Sequence, residues 1–166
     1  MSPEADAAAV IEKALADSEL DWHAPAPGQF FVKLPGTHKL ATNAWLVVGQ
    51  HSLLVEAFVC RKPDENHEEF QRFLLRRNAR MYAVAFALDK AGDVYLVGRL
   101  PLASVSPEEV DRLLGSVLTY ADEAFDPLLE IGFASSIRRE WEWRQKRGES
   151  TANLAAFARF ADPDRP

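Results

Sequence analysis

The residues of this chain that could act as ligands, acids or nucleophiles are few and scattered: His23, His38, His51 and His67, the single Cys60, and Glu56 inside an apolar run. No two histidines have the HxH or HExxH spacing that brings a pair of imidazoles onto one metal. A serine nucleophile would need an exposed elbow, and no GxSxG is present. Neither GxxxxGK[ST] nor GxGxxG occurs, and Gly92 and Gly98 are too far apart to cradle a phosphate. Cys60 closes an apolar stretch and is expected to be a buried, inert thiol; one cysteine excludes an internal disulfide and fits a reducing cytosol. Glu56 stands among Trp45, Leu54 and Phe58, either as a functional acid or where a sheet meets water. These spacings lead us to expect no catalytic residue, no cofactor and no metal.

The segment "PDENHEEFQRFLLRRNAR", residues 63 to 80, gathers acids at one end and Arg72, Arg76, Arg77 and Arg80 at the other. A helix accounts for it. Asn66 is the expected cap and Glu69 its capping-box partner; acids at the start and arginines at the end complement the helix dipole. Phe70, Phe73, Leu74 and Met81 form its apolar stripe, and His67 has no second histidine one turn away. A second basic cluster, "REWEWRQKR", mixes aromatics with charge, but Ile137 and Trp141 are one turn apart and are expected to pack on a core. With a formal charge of −6 and no nucleic-acid signature, the chain argues against a nucleic-acid partner.

We expect a helix from about Pro3 to Asp17, a stop at "DWHAPAPG", and strands at 29 to 34, 43 to 49 and 52 to 60. Alternation puts Ala44, Leu46, Val48, Leu53, Val55, Ala57 and Val59 on one face, and Asn43, Trp45, Val47, Leu54, Glu56 and Phe58 on the other. A hairpin around "KAG" aligns Tyr82, Val84, Phe86 and Leu88 with Leu100, Gly98, Leu96 and Val94. On its reverse side Ala83, Ala85 and Ala87 meet Arg99, Val97 and Tyr95. Ser106, Pro107 and Glu109 open a helix whose stripe is Val110, Leu113, Leu114, Val117, Leu118 and Ala121. Pro127 should kink or break it near Phe125, with a further helix over 134 to 147.

The expected fold is thus α+β: a five-stranded twisted antiparallel sheet in the order α-β-β-β-α-β-β-α, helices mainly on one face, and a C-terminal helical extension. We divide it into one domain, 1 to 148, and a tail, 149 to 166, with a short amphipathic helix. No apolar run approaches the ~20 residues of a membrane span and no signal segment opens the chain, so a cytoplasmic location is expected.

"FVKLPGTHKL", "VEAFVCRKPDENHEEFQRFLLRRNARMYAVAFALDKAGDVYLVGRLPL" and "LLEIGFASSIRREW", within roughly residues 30 to 141, resemble the YbjN-domain family of bacterial proteins in its actinobacterial form. The resemblance implies a fold like that of the type III secretion chaperones, which often dimerise, bind extended polypeptides and have no active site; the family itself is described as sensory or regulatory. The expected function is a noncatalytic, chaperone-like or regulatory module that binds a protein partner or a second copy of itself. Its candidate contact residues are Trp45, Val47, Leu54, Glu56, Phe58, Tyr95 and Val97, with Leu154, Phe157 and Phe160 of the tail covering an apolar groove. The alternative is a small-molecule sensor with a pocket between sheet and helices near Trp45, Glu56 and Tyr95.

Overall fold

The computed structural model describes residues 2–163. Its helix α1, Pro3–Ala16, is capped by the Ser2 hydroxyl accepting from the Ala5 amide, and buries Ala7, Ile11 and Leu15. Four strands follow: β1 Asp21–Ala26, β2 Gln29–Pro35, β3 Ala41–Val48 and β4 Ser52–Cys60. Then come α2 His67–Asn78, β5 Val84–Leu88, β6 Val94–Pro101, the long α3 Pro107–Lys146, and a tail with a 3₁₀ stretch, Ala152–Phe157, and α4, Ala158–Ala161.

The sheet has six antiparallel strands ordered β1-β2-β3-β4-β6-β5, not five. The additional strand is β1, in the segment where two prolines and a glycine stop the helix. Pro25 is tolerated because β1 is an edge strand with an irregularity between His23 and Ala26. Pro27 and Gly28, the latter at φ 72°, make the two-residue turn into β2; only glycine takes that conformation without strain.

Register follows the alternation. Val48 pairs with Leu53 across a turn of Gln50 and His51, and Val84, Phe86 and Leu88 pair with Gly98, Leu96 and Val94. Tyr82 and Ala83 fall outside the shorter β5, because Ala83 turns at φ 65° with the Val84 amide donating to the Tyr82 carbonyl. A Cβ on Gly98 would lie 2.3 Å from the Ala83 carbonyl oxygen, so a glycine is required there.

The inner face of the sheet is buried against helices at Val32, Leu34, Leu46, Val55 and Leu96, and opens only towards its ends, where Leu88 is exposed. Helix α3 covers much of it with Val110, Leu113, Leu114, Val117, Ala121, Ala124 and Leu128, the expected stripe extended by two turns. The Ser106 hydroxyl caps α3 by accepting from the Glu109 amide; the Glu109 carboxylate accepts from the Tyr82 hydroxyl and pairs with Arg112 instead of reaching back.

Pro127 does not break α3. The departure from helical geometry comes at Phe133 (φ −138°, ψ 15°), because a second segment supplies what the helix lacks there. The Gly132 carbonyl accepts from the Asp64 and Glu65 amides at 2.9 and 3.2 Å, and the Ile131 carbonyl from the Asn66 side chain at 2.9 Å. The Glu65 carboxylate takes the Ser135 amide and hydroxyl at 2.8 and 2.9 Å, and Asp64 takes the Ser136 hydroxyl at 2.8 Å. One loop therefore terminates the first half of α3 and caps the second. This corrects the capping box expected for α2: Asn66 sits at φ 54° and its side chain makes no bond to the first turn of α2, though its carbonyl accepts from the Phe70 amide at 2.9 Å.

The hairpin between β2 and β3 is tied to α3 as well. Asp122 Oδ1 accepts the amides of Thr37, His38 and Lys39 at 2.9, 2.9 and 3.0 Å, while His38 Nδ1 lies 2.9 Å from Asp126 Oδ2. Burial alone would raise the Asp122 carboxyl, but the three amides and the nearby His38 outweigh it and hold it below its ordinary range.

Candidate protein-interaction surface

Period-two alternation sends one side chain of each strand pair away from the helices, and the strand register aligns these side chains in rows. One row crosses the whole sheet: His23, Phe31, Trp45, Glu56, Val97 and Ala85. Beside it run Gln29, Val47, Leu54 and Arg99, and on the other flank Phe58, Tyr95 and Ala87. Aromatic rings are in contact along these rows: His23 to Phe31 at 5.2 Å, Phe31 to Trp45 at 5.0 Å, and Phe58 to Tyr95 at 5.4 Å between centroids. Trp45 keeps 37% and Phe58 41% of their surface in water, Glu56 is exposed, and Val47, Leu54, Tyr95 and Val97 are half-buried by their neighbours.

All seven sheet candidates, Trp45, Val47, Leu54, Glu56, Phe58, Tyr95 and Val97, therefore lie on this one outer face. Trp45, Glu56 and Tyr95 point away from the helices, so the pocket expected between sheet and helices near them does not form. The tail candidates lie elsewhere. Phe157, with Ala158 and Ala161, is buried in the core cluster that includes Ile137 and Trp141 of α3, and Leu154 and Phe160 pack at its edge. Arg138 donates to the Phe160 carbonyl and stacks on its ring at 5.4 Å, and Arg159 pairs with Glu130. The tail thus covers the second half of α3 and not the outer face of the sheet.

His23 and Phe31 belong to the surface and were missing from the candidates. Phe31 was legible, since alternation around buried Phe30 and Val32 turns it outward. His23 is hidden because the two prolines and the glycine of its segment signal a helix stop and mask the strand.

The scattered titratable groups stay scattered. Burial pushes the Cys60 thiol up to about 12, against a smaller opposing effect of Lys39, so it is protonated at neutral pH and a poor nucleophile. Burial also lowers the Lys39 ammonium, whose Nζ donates to the Ala41 carbonyl at 2.7 Å. His67 is exposed at the start of α2. Among the described residues no three His, Cys, Asp or Glu side chains group as metal ligands, and no helix is long and apolar enough to cross a membrane.

The chemical character of the outer face is set by its rings. It combines flat aromatic area, which loses little conformational entropy on binding, with one central carboxylate and the polar margin of Gln29, Lys33, Asn43 and Arg99. An apolar patch rimmed by polar groups on a folded chain is the usual mark of an interaction site.

Comparison with known proteins bears on this arrangement. A protein of Mycobacterium tuberculosis (strain H37Rv), named only as uncharacterised, is 56% identical over 154 residues, covering 90% of this chain and 84% of its own. A similarly named Mycobacterium leprae protein is 53% identical over 163 residues, covering 95% and 89%. Among solved structures, a chain of the ExsC–ExsE complex superposes with a TM-score of 0.56 at 17% identity, covering 77% of this chain and 97% of that one. The type III secretion chaperone SycH of Yersinia pestis, in complex with a fragment of YscM2, gives 0.48 at 15% identity, with 71% and 96% covered. The profile of the YbjN family, described as "Putative bacterial sensory transduction regulator", matches residues 7–130, three quarters of the molecule from α1 into the middle of α3. The chain belongs to the YbjN family.

Proposed function

We propose that this protein is a noncatalytic binding module, chaperone-like or regulatory, that holds a polypeptide partner against the outer face of its sheet. The observation that carries the proposal is the exposed aromatic row of Phe31 and Trp45, with Phe58 and Tyr95 beside it, on a face that none of the chain's own helices covers. The alternative uses of such a surface are weak. Glu56 stands on it without an acid, base or nucleophile paired to it across the strands, its register partners being Trp45 and Val97. Membership of a family described as regulatory, and a fold shared with a chain solved in a complex, support the same reading.

The test is a photo-crosslinking amino acid placed at Trp45 or Phe58, with Glu12 on the exposed side of α1 as control. Irradiation in cells should give discrete protein adducts from the two sheet positions and not from Glu12; an adduct of twice the chain mass would make the partner a second copy. Equal labelling from all three positions, or none, would remove the outer face as the binding surface.

A further inference from the structure

On the helical side of the molecule a groove of about 870 Å³ runs between α2 and α3. Its floor is apolar, made by Phe73, Met81, Phe86, Ala124 and Ile131. One bank is basic: Arg72 and Arg76 stand one turn apart on α2, Arg80 follows in the turn just past the helix end, and Arg77 Cζ lies over the Phe73 ring at 4.9 Å from its centre. Arg72 is paired with Glu68, but the side chains of Arg76 and Arg80 have no carboxylate within ion-pair distance among the described residues. Like charges one turn apart repel each other. A chain with a formal charge of −6 has acids in ample supply, yet these two cations are left uncompensated beside apolar surface.

We infer that this groove seats an acidic amphipathic helix from a partner protein. The arrangement of the charges selects that occupant. A lone carboxylate or phosphate is best held by donors converging on one point, whereas Arg72 and Arg76 stand one turn apart, about 6 Å along α2 at 1.5 Å rise per residue, and Arg80 follows past the helix end, so the charges form a line along the bank. That line matches carboxylates repeated every fourth residue along a helix laid beside α2. The partner's apolar stripe then rests on Phe73, Met81 and Ile131, in the manner of other helix-in-groove complexes. A nucleic-acid strand fits less well: it carries a phosphate on every nucleotide and would set some of them against Glu69 and Glu123, whereas a helix can confine its carboxylates to the side that faces the arginines. This site is separate from the outer face of the sheet and does not depend on it.

The probe is a labelled synthetic helix of about 16 residues, long enough for some four turns, with a leucine stripe and glutamates in i, i+4 rows. Its controls are a peptide of the same composition with the stripe scrambled, and oligothymidylate. Anisotropy should show the striped peptide binding more tightly than the scrambled one and weakening with salt. Amide NMR signals of Phe73, Met81 and Ile131 should shift. Arg76→Glu with Arg80→Glu, both exposed and so expected to leave the fold intact by circular dichroism, should weaken binding about tenfold, while Trp45→Ala leaves it unchanged. Equal binding of the scrambled peptide, shifts confined to the outer face, or tighter binding of oligothymidylate in the same groove would each overturn the inference.

Discussion

Asp64 and Glu65 show how much one pair of side chains can decide. The Arg61 guanidinium, then the Ser136 hydroxyl, hold the Asp64 carboxyl at about 2, and the Ser135 amide and hydroxyl hold Glu65 below its ordinary range. Both shifts are depressions. The stabilisation is therefore complete above the unfolded-state values near pH 4 and is lost as pH falls towards about 2. Asp64→Asn and Glu65→Gln should each lower the melting temperature at pH 6, and the gap from the native chain should close between about pH 4 and 2. A gap that stays constant over that range would detach the effect from these carboxylates. Gly132 sits beneath the same loop, where a Cβ would lie 2.7 Å from that of Pro63 and 2.9 Å from the Phe70 ring. Gly132→Ala should therefore cost about 1–3 kcal/mol in urea unfolding, as overpacking does.

Helix α3 is the element on which the rest is arranged. It roofs the sheet, anchors the β2–β3 hairpin through Asp122 and supports the tail beyond its break at Phe133. Leu114 is 5% exposed on its inward side. Leu114→Ala should cost about 2 to 5 kcal/mol by chemical denaturation, since the cavity is walled by the sheet and cannot collapse fully. An unchanged midpoint would mean that the helix is not held as described. The break itself illustrates competition between local and tertiary terms. Proline disfavours helix by removing one amide and crowding the preceding turn, yet α3 runs straight through Pro127 and yields only where another loop offers better partners for its free carbonyls.

For the molecule as a whole, the tail is part of the packed core. Its 3₁₀ stretch and single turn of α4 are too short to persist alone, and they hold because Phe157, Ala158 and Ala161 bury themselves beside Ile137 and Trp141. Deleting residues 150 to 166 should lower the melting temperature and increase binding of a hydrophobic dye, with the Trp141 region becoming newly exposed to hydrogen exchange. If dye binding and exchange are unchanged, the tail contributes nothing to that core. Trp45→Ala with Phe58→Ala is the contrasting change: both rings are more than a third exposed, so crosslinking to the partner from a photo-reactive residue at exposed Glu56 on the same face should fall while stability shifts little.

By itself the sequence determined what depends on short-range periodicity. Alternation assigned the two faces of β3, β4, β5 and β6, and three-to-four spacing with Ser106 and Pro107 located the start and buried stripe of α3. The same alternation put Trp45, Glu56, Phe58, Tyr95 and Val97 on one side, because the sign of a side chain in a strand depends only on its neighbours. Tertiary structure decided whatever required a distant partner. Pro25 could join a strand only because β2 was there to pair with it at an edge. Asn66, Glu65 and Asp64, which have the local chemistry of a helix cap, bond instead to carbonyls, an amide and hydroxyls some 65 to 72 residues away. The tail's apolar side had two surfaces on which it could pack, and only the three-dimensional path of α3 beyond Phe133 brings one of them within its reach.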